Sequence, residues 1–165
     1  MKYIAVLLFL LNLGGCATNY QAQSFSGGFT ETQLDKNVFR ITFKGNGYTR
    51  SERVEDFALL RSAEITLQNG FSHFAIVDSR QSTDYGVITT PTQSYSTGTV
   101  TAYGGTAYGS ARTTSIGGQS FIVKKPSSSN TIVCFNGKPD NGMFVYDAQF
   151  IYDSLSAQYG IRTPP

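Results

Sequence analysis

Between Ser51 and Asn69 the chain runs without glycine or proline, flanked on each side by a stretch of β-formers, and this pattern constrains the fold more than any other feature. Upstream, Val38-Phe39-Arg40-Ile41-Thr42-Phe43 partly alternates apolar and polar residues and is closed by Gly45-Asn46-Gly47, which predicts a strand and its turn. Thr49-Arg50-Ser51-Glu52 matches a capping box, in which the threonine hydroxyl accepts from the first turn while the glutamate reaches back. Gly70 is the expected left-handed stop. At about 100° per residue, Val54, Phe57, Ala58 and Ile65 share one arc, with Leu60, Ala63 and Leu67 beside it. Arg61 and Glu64 fall in or near that arc one turn apart, which predicts an ion pair shielded by a sheet. Phe71-Ser72-His73-Phe74-Ala75-Ile76-Val77 then reads as a strand lying beside the first as its parallel partner, reached by the helical crossover.

The remainder adds strands and one more helix. Asp147 is a suitable N-cap, and Ile151, Leu155 and Tyr159 recur one turn apart before Gly160, so a second amphipathic helix packs on the same sheet face. Thr131-Ile132-Val133-Cys134-Phe135 is a buried strand, and Cys134 within it is expected to be a packed apolar thiol. The length of 165 residues suits one domain with a core. Thirteen Lys and Arg against eleven Asp and Glu give a formal charge of +2, and no basic cluster stands out, which argues against nucleic-acid binding.

Between Tyr85 and Ala111 there is no charged side chain; the segment carries Ser, Thr, Gly and the tyrosines Tyr85, Tyr95, Tyr103 and Tyr108. Gly104-Gly105 and Gly117-Gly118 suit tight hairpin turns, and Pro126-Ser-Ser-Ser-Asn130 reads as a third connection leading into the Cys134 strand. Pro91 places its part of the arm at an edge. Three readings stand for this arm: a structural hairpin, a disordered arm, or a binding surface. In the last, the tyrosines offer rigid area with a polar tip while Ser and Gly adapt their hydrogen bonds to an envelope protein or a glycan.

The first fifteen residues have a positive start at Lys2, an apolar run from Tyr3 to Leu13 and two small residues, Gly14-Gly15. The run is too short for the roughly 20 residues that span a bilayer, which identifies a secretory signal peptide. Leu13-Gly14-Gly15-Cys16 resembles a bacterial lipobox, which implies cleavage before Cys16, a lipid on its sulfur and palmitate-type acylation of the new terminus. Each buried CH2 contributes about 0.8 kcal/mol, so two or three chains hold durably where one does not. Ala17, rather than Asp, follows the cysteine, which by analogy implies the outer membrane. Ala17 to Gly28 is polar and aperiodic and reads as part of a flexible tether over 16–29, with the folded part beginning near Thr30.

No nucleophile elbow, HExxH, paired-cysteine zinc pattern or phosphate-binding glycine loop occurs. Asp35, Asp78, Asp84, Asp140 and Asp147 stand singly beside turn residues, and His73 is the one histidine, read as a surface or strand-end residue. These features predict no catalytic, cofactor or metal site and a protein that is not an enzyme. Taken together, the lipobox, VFRITFKGNGYT, DFALLRSAEITLQNGFSHFAIVD, TIVCF and VYDAQF resemble a family of small proteobacterial envelope lipoproteins of Caulobacter type with no assigned activity. The resemblance covers most of the mature chain and implies an envelope location and one domain.

The expected protein is α+β: a mixed, mostly antiparallel sheet of about five or six strands, two helices on one face and a long β-hairpin arm. Its parts are a signal peptide (1–15), the tether (16–29), a single domain (30–160) that includes the arm (85–120), and a tail (161–165). It would be held by the Cys16 lipid to the outer membrane, facing the periplasm, as a non-enzymatic accessory or interaction component. The alternatives are a cell-wall-acting enzyme with a site between helices and sheet, or a glycan- or solute-binding lipoprotein.

Overall fold

The computed structural model describes residues 17–140 and 142–161. The predicted signal peptide (1–15), Cys16 and residues 162–165 lie outside the described residues. Strands β1 (Gly28–Asp35) and β2 (Val38–Lys44) lead into helix α1 (Ser51–Gln68). Strands β3 (His73–Thr89), β4 (Gln93–Tyr103), β5 (Thr106–Ile116), β6 (Ser120–Phe135) and β7 (Tyr146–Asp147) follow, and then helix α2 (Ala148–Tyr159). The protein is α+β, with a five-stranded sheet in the order β1-β2-β6-β3-β7 and a two-stranded sheet of β4 and β5. By contacts the chain divides into two compact units. One comprises the described residues up to Asp84 and those from Lys124, and the other spans Tyr85–Val123.

In the larger unit, β2 is not the neighbour of β3. β6 lies between them, antiparallel to β2 from Val38↔Val133 to Lys44↔Ser127, so the predicted parallel pair is replaced by two antiparallel ones. The Pro126–Asn130 stretch that read as a connection is the reason. It is the middle of β6, with Pro126, Ser128, Asn130, Ile132 and Cys134 turned inward and buried. Its polar side chains find partners on the neighbouring strands: Ser129 Oγ with Thr42 Oγ1 at 2.9 Å, Asn130 Oδ1 with Ser79 Oγ at 2.9 Å, and Ser127 Oγ with Ser82 Oγ at 2.7 Å. Pro126 stands one position past the end of β2, where its carbonyl accepts from Gly45 and its missing N–H interrupts no bond within that strand.

Helix α1 covers the inner face. Phe39 and Ile41 of β2, Ala63 and Ile65 of α1, Phe74 of β3, Ile132 and Cys134 of β6 and Ala148 of α2 form one buried cluster; Phe43, Val54, Phe57 and Ala58 form a second. Both helices therefore pack on the same face. The capping box does not form. The cap position is Arg50, without a side-chain hydrogen bond, because the Thr49 hydroxyl accepts instead from the amides of Thr18 (2.9 Å) and Asn46 (3.2 Å). The C-terminal stop is as expected, with the Gly70 amide bonded to Leu67 O and the Phe71 amide to Thr66 O, both at 3.0 Å. On α2 the Asp147 carboxylate caps the helix, accepting from the Phe150 amide at 2.9 Å.

Residues 17–29 are not a tether within the described chain. Thr18 is fully buried, its hydroxyl donating to Ser26 O at 2.7 Å, and Tyr20 packs against Phe29 and Phe57 at centroid distances of 5.1 and 5.4 Å. Ala22 bridges to Phe29 and Ser24 to Gly27. This polar stretch is ordered by partners from the loop and helix that follow β2: Thr49, Phe57 and Glu64.

The smaller unit contains the β4–β5 hairpin. It closes through Gly104-Gly105, whose φ of +58° and +83° meet the requirement of a two-residue primed turn for positive φ at both central positions. The pairing runs unbroken from Tyr103↔Thr106 to Gln93↔Ile116, so the two TAYG copies oppose each other. Gly117-Gly118 does not turn a second hairpin of neighbouring strands. β5 pairs with β4, and the 117–119 link is held against Thr90, where Gly118 N donates to Thr90 O at 3.1 Å and Thr90 N to Gln119 O at 2.9 Å.

Candidate functional site

Directly paired residues of an antiparallel ladder share a face, and the register therefore sorts the hairpin. Tyr95 (opposite Thr114), Thr97 (Arg112), Thr99 (Ser110), Thr101 (Tyr108) and Tyr103 (Thr106) line one face. The other carries no aromatic or charged residue: Ser94 with Ser115, Ser96 with Thr113, Gly98 with Ala111, Val100 with Gly109 and Ala102 with Ala107. Three of the four tyrosines singled out by sequence thus share one face, and all are well exposed. Tyr85 is not on this hairpin; it lies in β3, also exposed. The shared face was open to sequence reasoning, since counting outward from Gly104-Gly105 puts 103, 101 and 95 opposite 106, 108 and 114. Hydroxyl pairs across the ladder, Ser94–Ser115 and Ser96–Thr113 at 2.8 Å and Thr99–Ser110 at 3.1 Å, hold the register on both faces.

In the larger unit the Arg61–Glu64 pair exists, with Nη1 and Oε2 at 2.6 Å, and it has two further members that the sequence did not suggest. Glu31 lies opposite Ile41 and so faces inward, where it takes Arg61 as a fork: Nε to Oε2 at 2.7 Å and Nη2 to Oε1 at 2.9 Å. Tyr20 donates its hydroxyl to Glu64, and Arg61 lies 4.2 Å over the Phe29 ring. The cluster binds α1, β1 and the N-terminal segment together, which is a structural role.

Tyr20 and Tyr159 give the fold an alkaline limit. Burial, reinforced by the hydrogen bond to Glu64, pushes the Tyr20 hydroxyl well above the ordinary tyrosine range. Burial, then the hydrogen bond to Asp56, pushes Tyr159 up to about 12. A pKa raised on folding means that the native state favours the protonated phenol. Its contribution is whole below the unfolded value of about 10 and lost as pH rises through the folded one. The denaturation midpoint is expected to hold to about pH 10 and then fall towards about pH 12, with a shallower fall in Tyr159→Phe. A flat midpoint over that range would contradict it.

Other candidates lie apart. His73 begins β3, partly buried, with Nδ1 2.9 Å from Ser72 Oγ. Cys134 is 1% exposed with Sγ 3.4 Å from Thr66 Oγ1, and burial pushes its thiol up, as befits a packed apolar thiol. A shallow cleft of about 200 Å³ between α1 and the sheet is bordered by Glu55, Asp56, Ser79, Ser128 and Asn130, but Asp56 is engaged by Tyr159 and Asn130 by Ser79. Among the described residues no three His, Cys, Asp or Glu side chains gather as metal ligands, and no helix is long and apolar enough to cross a membrane.

The fold defines an α+β protein whose helices cover one face of an antiparallel sheet and whose middle segment forms a separate hairpin unit. Comparison with known proteins returned no matching family model, no similar curated protein and no similar solved structure.

Proposed function

We propose that the protein is a lipid-anchored envelope lipoprotein that acts as a non-enzymatic interaction component, engaging a partner through the tyrosine face of its β4–β5 hairpin. The observation that carries this reading is the placement of Tyr95, Tyr103 and Tyr108 on one exposed face with Thr and Ser between them. Such a face combines large rigid contact area with adaptable hydrogen bonding. The hairpin has one charged side chain, Arg112, so a partner meets few desolvation penalties. The Leu13-Gly14-Gly15-Cys16 motif supports the anchor, and Ala17 supports outer-membrane sorting with the domain facing the periplasm.

Crosslinking in intact cells tests the reading. Wild type is expected to capture an envelope protein. The triple variant Tyr95→Ser, Tyr103→Ser, Tyr108→Ser is expected to lose it with an unchanged melting temperature, since these side chains are exposed. Undiminished capture by the triple variant, or capture lost together with the melting transition, would sink the hairpin as the contact surface.

A further inference from the structure

At one end of the larger unit, separate stretches of chain bring exposed aromatics and cations together. Phe25 sits at the tip of a tight turn closed by Ser24 N to Gly27 O at 3.0 Å and Gly27 N to Ser24 O at 3.1 Å, with its side chain fully exposed at 110%. Tyr48, in the loop before α1, is 70% exposed. Two adjoining depressions share Pro126. One, of about 810 Å³, is bordered by Ala17, Tyr48, Arg50, Arg53 and Lys124; the other, of about 190 Å³, by Phe25, Lys44 and Lys125. Five cations stand here beside two acids, Glu52 and Asp84, and among the described residues none of the five is in an ion pair.

The chain joins the domain at this same end. Ala17 borders the larger depression, and Thr18 is fixed by its amide to Thr49 Oγ1 at 2.9 Å. Cys16 is one peptide further, about 3.8 Å between Cα atoms, so no tether separates a lipid on Cys16 from this surface. We propose that this end is the membrane-facing surface of the larger unit. Lys44, Arg50, Arg53, Lys124 and Lys125 meet anionic lipid headgroups, and Phe25 and Tyr48 seat in the interface.

This inference rests on the lipid-anchor reading of Cys16. Three physical facts join in it. An acyl anchor without slack keeps this end of the domain near the headgroups, and charges act on one another there over a Debye length of about 8 Å. Each Lys or Arg at an anionic surface strengthens adsorption roughly fivefold. A rigidly presented phenyl ring in water loses its exposed apolar area on entering the interface, and tyrosine suits the same boundary with its polar tip.

The chain has no tryptophan, so a single introduced one reports its own depth. Full-length lipidated protein carrying Phe25→Trp is reconstituted into vesicles of phosphatidylglycerol and phosphatidylcholine with brominated acyl chains. The comparison is Leu34→Trp, placed near the far end of β1, roughly 20 Å along the strand from Gly28. Strong quenching is expected at position 25 and little at 34. Quenching at 25 should weaken with added salt and in vesicles of phosphatidylcholine alone. Combining it with Arg50→Gln, Lys124→Gln and Lys125→Gln removes three charges, which shifts the docked-to-undocked ratio by about a hundredfold. Equal quenching at the two positions, or none at 25, in protein whose Cys16 peptide carries the lipid mass overturns the membrane-facing surface and leaves the anchor standing. An unmodified Cys16 peptide overturns the anchor and the surface with it.

Discussion

Phe57→Ala is expected to lower stability by about 3–5 kcal/mol. The ring is fully buried and meets partners from separate parts of the chain. Tyr20 of the N-terminal segment lies at 5.4 Å, Phe43 of β2 at 5.1 Å and Tyr159 of α2 at 4.9 Å, all edge-on, and Arg53 stands 4.8 Å over its face. The cost of a core truncation depends on how far the surroundings collapse, and here they are held. Tyr20 is tied to Glu64, Tyr159 to Asp56, and Phe43 to the β2 ladder. The cavity therefore persists, and the loss should sit in the upper part of the range, while Phe57→Leu, which keeps most of the volume, should cost markedly less. Denaturant titration decides it through the midpoint at an unchanged m-value. A loss below about 2 kcal/mol would show that the aromatic cluster repacks.

Arg61→Leu is expected to cost about 3–5 kcal/mol for an electrostatic reason. With the guanidinium gone, Glu64, whose side chain is 9% exposed, keeps only the neutral donors Tyr20 and Gln68, while Glu31 at 39% can turn to water. A buried carboxylate stripped of its cation is the expensive outcome; the intact pair itself contributes less, since both ions were desolvated to make it. The double variant Arg61→Leu, Glu64→Leu is accordingly expected to be more stable than Arg61→Leu alone. If the double variant is the less stable of the two, the pair is favourable in its own right and the stranded charge is not the cause of the loss.

The β–α–β core of the chain was legible because its signals are local. The glycine-free run sets α1, Gly70 ends it, Asp147 starts α2, and the apolar arcs of α1 name the buried residues, with Arg61 and Glu64 among them. The hairpin turn at Gly104-Gly105 was equally plain, whereas the face that Tyr95, Tyr103 and Tyr108 share was drawn only from the register of the ladder. What failed to show was polar order. The Ser127–Asn130 run has no hydrophobic alternation, yet it forms the centre of β6 because hydroxyls and amides on β2 and β3 satisfy it. Placing β6 between β2 and β3 follows from that, and it converts an expected parallel pair into an antiparallel sheet.

The N-terminal segment shows the same division most clearly. The expectation of a signal peptide and of a lipidation motif at Cys16 rests on residue order alone: a charged start, a short apolar run and small residues before the cysteine. Whether the residues after it hang free is a different kind of question. Thr18 and Tyr20 are held by Thr49, Phe57 and Glu64, residues about thirty to forty-five positions away, and no local pattern encodes such a meeting. Likewise Phe25, Lys44, Arg50 and Lys124 form one surface only when the turn, the sheet and the helix are assembled. Local backbone preference and periodicity are carried by neighbours in sequence. The partners that satisfy buried polar groups, and the surface proposed to face a membrane, are chosen by distant residues and exist only in the folded chain.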